Sequence, residues 1–155
     1  MTNIRLVRDY PHSLAKVWRV LTDPELMALW GMRPEGFAPV VGTRYKLYGK
    51  PNRMWRGFVE CEVLEVRAPE LLRFAWVGSE NAARTEVTYR LEAHGGGTRL
   101  TLEHRGFTGV GGFVFVNLLM RPGIKRMLDQ TFPPVLAATD ETGALLSSAT
   151  VKPMF

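Results

Sequence analysis

One cysteine, Cys61, in 155 residues rules out a disulfide framework within the chain and a thiolate metal cluster. A lone thiol suits a reducing, cytoplasmic compartment. Histidine is scarce as well, and His12, His94 and His104 show no spacing that resembles a metal site. Long apolar runs are missing. The longest, residues 113–120, is interrupted by Asn117 and is far too short to span a bilayer. No apolar stretch follows a basic start, so no signal peptide is expected. There is no internal repeat, no nucleophile elbow, no catalytic triad and no obvious pair of catalytic carboxylates. The formal charge is +5, yet no long block of basic residues occurs. A solvated basic surface is therefore expected and not a nucleic-acid site, with room left for weak contact with a membrane surface.

The remaining composition is that of a soluble globular domain, 46% apolar and 23% charged. A chain of this length buries roughly 68–70% of its unfolded surface, enough for a core and a cavity. Residues 4–9 alternate and read as a half-buried strand. Ser13 is placed to cap a helix over 14–22, with Leu14, Val17, Trp18 and Leu21 at helical spacing. Asp23 and Pro24 suit the N-cap and first residue of a second, short helix ending near Trp30-Gly31. Strands follow over 43–49, 55–66, about 72–76, 86–92 and 98–106, separated by turns at Ala68-Pro69-Glu70 and Gly95-Gly96-Gly97. One face is apolar and the other carries charge, as in an antiparallel meander with one wet side. The last helix runs from about 110 to 138, with Phe113, Val116, Met120, Ile124, Met127, Leu128 and Phe132 as its apolar stripe. Pro122-Gly123 is expected to kink or break it, and Pro133-Pro134 to distort it again.

One amphipathic helix must then cover five or six strands. A curved sheet wrapped around it solves this, and curvature leaves space between the two. The expected architecture is α+β and helix-grip: a domain over residues 1–139 with about six antiparallel strands, and a loosely held tail over 140–155.

Three stretches carry a family resemblance: residues 10–30 (YPHSLAKVWRVLTDPELMALW), residues 61–76 (CEVLEVRAPELLRFAW), and His104-Arg105-Gly106-Phe107. Over roughly residues 4–138 the chain resembles the START-like (SRPBCC) superfamily, with its START/Bet v 1-like fold. It is most similar to the branch of the activator of Hsp90 ATPase. Cys61, Ala68 and Phe113 stand where that branch often has glycine, proline and tryptophan, and the Pro122-Gly123 break is not a general feature of it. The resemblance implies binding of lipids, polyketides or other hydrophobic molecules, with cyclase-like enzymes and chaperone partners as the other functions of such folds. Fold alone does not choose among these.

Strand parity puts Tyr45, Leu47, Trp55, Val59, Cys61, Val63, Phe74, Trp76, Val87, Tyr89, Leu102 and His104 on the apolar face. Phe113, Val116, Asn117 and Met120 face them from the helix. Several buried Tyr and Trp side chains, each needing a polar partner, suit a pocket with polar handles. Ordinary core packing is the plainer reading of each residue taken singly. His104 is the one candidate acid–base group, and no carboxylate is obviously placed to orient it. Cys61 reads as an inert core thiol. Gly109-Val110-Gly111-Gly112 lacks the spacing of a nucleotide-binding fingerprint. The expected function is binding of a small hydrophobic ligand by a monomer or homodimer, with no cofactor and no metal. The alternatives are a polyketide cyclase or dehydratase using His104, and a chaperone-interaction module.

Overall fold

The computed structural model describes residues 2–53, 55–80 and 82–146, and among these the side chains of all but Thr2 and Phe113. Strand β1 (Thr2–Tyr10) leads into helices α1 (Leu14–Thr22) and α2 (Pro24–Trp30). The caps form as the sequence requires. Ser13 Oγ accepts from the Lys16 amide, and Asp23 accepts from the amides of Glu25 and Leu26 with Pro24 in the first turn. Strands β2 (Arg33–Glu35), β3 (Arg44–Tyr48), β4 (Phe58–Arg67), β5 (Leu71–Val77), β6 (Thr85–His94) and β7 (Gly97–Phe107) follow.

They form one antiparallel sheet in the order β1-β7-β6-β5-β4-β3-β2, seven strands where about six were expected. The additional strand is β2, three residues pairing Arg33–Glu35 with Tyr48, Leu47 and Lys46 of β3. Pro34 cannot donate to a ladder, and β2 is accordingly an edge. Strand β4 begins at Phe58, not at Trp55. Gly57 takes φ +91°, and a Cβ there would lie 2.8–2.9 Å from Pro51. The chain turns at that point, and Trp55 reaches the core from a loop, in an isolated bridge with Asn52 and with its indole N–H donating to the Gly78 carbonyl.

The C-terminal helix is continuous over residues 109–137, despite its prolines. It alternates α3 (Gly109–Phe115), a π turn (Val116–Met120), α4 (Arg121–Arg126), a second π turn (Met127–Thr131) and α5 (Phe132–Ala137). The junction residues Phe115, Arg121, Met127 and Phe132 all keep right-handed helical dihedrals. Each π turn precedes a proline. Arg121 N–H donates to the Val116 carbonyl just before Pro122, and Phe132 N–H to the Met127 carbonyl just before Pro133. Widening the turn by one residue gives the proline ring room beside a carbonyl it would otherwise strike. The expected break at Pro122-Gly123 is thus replaced by a local change of pitch.

The second half of this helix is tied down. Tyr10 O–H donates to the Leu128 carbonyl at 2.8 Å, and Thr131 O–H to the Trp30 carbonyl at 2.7 Å. The Trp30 indole N–H in turn donates to the Val20 carbonyl at 2.9 Å. Phe132 packs edge-on against both Tyr10 and Trp30. Beyond it, Thr139 pairs with Leu145, and Glu141 accepts from the Ser13 hydroxyl, so residues 139–146 lie against the start of α1. Residues 147–155, most of the expected tail, are outside the described residues.

Candidate functional site

On the concave face, alternation along each strand sends Tyr45, Leu47, Val59, Val63, Phe74, Val87, Tyr89 and Leu102 into one buried cluster, joined from the helix by Val116, with His104 buried beside Trp76 and Phe107. Trp55, Trp76 and Met120 pack on that cluster and stay partly exposed. Asn117 is half-buried. The side chain of Phe113 lies outside the described ones.

Two aromatic ladders cross this surface. One runs Phe37–Tyr45–Phe74–Tyr89, with ring centroids 4.9, 6.0 and 5.7 Å apart. The other runs Trp76–His104–Phe107–Phe115, at 5.4, 4.6 and 6.2 Å, and links the end of the sheet to α3. Sequence reasoning missed Phe37, which sits in a loop without periodicity. It also missed Phe107, whose odd position should point it away from His104. Gly106, at φ +108°, resets the alternation and brings the ring back.

His104 is 1% exposed. Its Nε2 lies 2.7 Å from the Thr85 hydroxyl, which itself donates to the Trp76 carbonyl at 3.3 Å. The hydroxyl and the ring nitrogen are thus hydrogen-bonded to each other, with the donor set by the imidazole tautomer. Burial lowers the imidazole pKa from 6.5 to about 4, with no charged group contributing. The ring is therefore neutral at pH 7 and hydrogen-bonded within the sheet, and among the described residues no carboxylate bonds to it.

Across β3 and β4, Tyr45 pairs with Cys61, and both side chains are buried. Burial pushes both groups upward: the thiol to about 12, the phenol further. Tyr89 is enclosed deeply enough that burial raises its phenol well above the ordinary range. Yet it keeps 9% of its surface accessible, and among the described residues no hydrogen bond reaches its hydroxyl. The helix shows a matching unevenness. Its apolar stripe is fully buried at Val116 and again at Leu128, Phe132, Val135 and Leu136. Between them Met120, Ile124 and Met127 are only partly covered, and Arg121–Arg126 buries no residue at all.

The opposite face is charged. An open depression of about 430 Å³ there is lined by residues that include Arg44, Lys46, Glu60, Glu62 and Arg84. Arg44 lies 3.5 Å from Glu62 and Arg56 3.2 Å from Glu60. Exposed pairs of this kind contribute little.

Among solved structures, protein MLL2253 from Mesorhizobium loti is 27% identical, with a TM-score of 0.68 over 84% of this chain and 96% of its own. CalU16 from Micromonospora echinospora is 26% identical, with a TM-score of 0.65 over 81% of this chain and 71% of its own. The Aha1 dimer from Colwellia psychrerythraea, at 21% identity, shares the fold with a TM-score of 0.64 over 84% of this chain and 96% of its own. No curated protein matches the chain in sequence. A family model, the activator of Hsp90 ATPase homolog 1-like protein, matches residues 11–131. With that match over most of its length and the helix-grip architecture in place, the chain belongs to the family of activator of Hsp90 ATPase homolog 1-like proteins.

Proposed function

We propose that the protein binds a small hydrophobic molecule, lipid-like or aromatic, between the concave face of the sheet and the middle of the C-terminal helix. The observation that carries this reading is the uneven burial of the helix stripe. Met120, Ile124 and Met127 pack on the core while keeping accessible surface, between two fully buried anchors. Apolar side chains left uncovered between fixed ends make a cleft that an apolar guest can fill. The residual surface of Tyr89, deep on the concave face, supports the same reading from the other wall. Tyr45, Leu47, Trp55, Val59, Val63, Phe74, Trp76, Val87 and Leu102 would line the sheet side, with Val116, Asn117 and Met120 on the helix. The phenol of Tyr89 would orient the guest. Covering about 200 Å² of apolar ligand surface contributes about 5 kcal/mol.

His104 enters as part of the wall. A role in proton transfer has less support, because its Nε2 is engaged by Thr85 and its low pKa leaves it a weak base.

The test is a thermal-shift screen of the full chain against aromatic and lipid-like compounds. A binder at about a hundredfold excess over its Kd adds about 2.7 kcal/mol of stability. Ile124→Trp, placed to fill the cleft from the helix, should abolish the shift while the protein remains folded by circular dichroism. If no compound raises Tm, or if the shift survives Ile124→Trp and Tyr89→Trp alike, the cleft reading fails.

A further inference from the structure

The outer side of the same helix carries the most exposed large apolar side chains among the described residues. Val110 is 82% exposed, Leu118 70% and Leu119 68%, with Val114 and Phe115 also uncovered. Their spacing places them over successive turns of α3 and the π turn that follows, as one outward apolar strip and not as scattered single residues. The next turn carries Arg121, Lys125 and Arg126, the last two exposed. From residue 104 to residue 128 there is no aspartate or glutamate. The first acid beyond, Asp129, is held by Arg8 at 2.6 Å. Among the described residues neither Lys125 nor Arg126 lies within 4.0 Å of a carboxylate, though Lys125 also acts on Asp129 through space.

We infer that this strip docks the protein on an anionic lipid surface, with Val110, Val114, Leu118 and Leu119 at the acyl boundary and Arg121, Lys125 and Arg126 at the headgroups. An apolar strip bordered by cations, with no carboxylate in the stretch, is the arrangement that lies in the plane of an interface. The charge pattern argues against a second copy as the occupant. A second copy offers the basic turn no carboxylate from residues 104–128, so a contact between two such strips gains nothing from charge complementarity. The inference does not depend on the cleft, since vesicle binding is read without any ligand.

The experiment is sedimentation of the full chain with phosphatidylcholine vesicles, with and without phosphatidylglycerol. Three cations near the surface predict binding to the anionic vesicles on the order of a hundredfold tighter than to neutral ones. The preference should weaken as salt is raised. Leu118→Asp with Leu119→Asp should reduce binding at least about tenfold. Both positions are exposed, so Tm should hold and the loss is not one of folding. Lys125→Glu with Arg126→Glu should remove the preference for phosphatidylglycerol. Failure to bind anionic vesicles overturns the inference, as does binding that both pairs leave unchanged. A concentration-dependent dimer that Leu118→Asp with Leu119→Asp dissolves, in a protein indifferent to vesicles, overturns it in favour of self-association.

Discussion

Protonating His104 should cost the fold stability over a defined pH range. In the folded chain the ring lies between Trp76 and Phe107, hydrogen-bonds the Thr85 hydroxyl, and has its pKa lowered by burial to about 4. In the unfolded chain it returns to about 6.5. Between these values the unfolded state holds a proton that the folded state refuses, so stability falls as pH falls. Each pH unit in that interval is worth about 1.4 kcal/mol. The total is roughly 3 kcal/mol, fully lost near pH 4 and fully restored above about pH 6.5. Other groups add to the slope. His12 is also shifted downward by burial, and Asp9, Asp129 and Asp140 are held below the usual carboxylate range by Arg99, Arg8 and Thr142. The carboxylates act mainly below pH 4, and His12 remains in every variant. Urea unfolding of the protein and of His104→Gln, from pH 7.5 to pH 4, therefore isolates the imidazole by difference. The variant should be less stable at neutral pH and much flatter in its pH dependence. If the two proteins lose stability in parallel, the ring is not held neutral by burial, and the account of His104 as a satisfied part of the wall is wrong.

Two further outcomes test the packing. Phe132→Ala removes a ring that touches Tyr10 and Trp30 and is 1% exposed, and should cost about 3–5 kcal/mol in denaturant unfolding. The Cys61 thiol, pushed up to about 12 by burial, should resist Ellman's reagent at pH 8 in the folded protein and react at once in urea.

The sequence was most legible where one residue type answers one local need. Ser13 and Asp23-Pro24 start helices because they satisfy free amides, and parity placed Tyr45, Val63, Phe74 and Tyr89 on one face because strand side chains alternate. Legibility fails where the backbone changes rule. The positive φ of Gly57 takes Trp55 out of its strand, and that of Gly106 returns Phe107 to His104. Strand β2 escaped notice because three residues containing Pro34 carry no period.

The partial cover along the middle of the helix was the hardest feature to read, for a reason of geometry. A stripe drawn with 3.6 residues per turn assumes one pitch along the whole helix. Two π turns each insert about one additional residue, which rotates everything beyond them relative to the sheet. Ile124, between the two turns, and Met127, at the start of the second, stay partly covered, while Val116 and Phe132 are buried. The prolines at 122 and 133 determine where that rotation occurs. How far Met120, Ile124 and Met127 are covered thus depends less on their apolar character than on the residues that set the path of the helix.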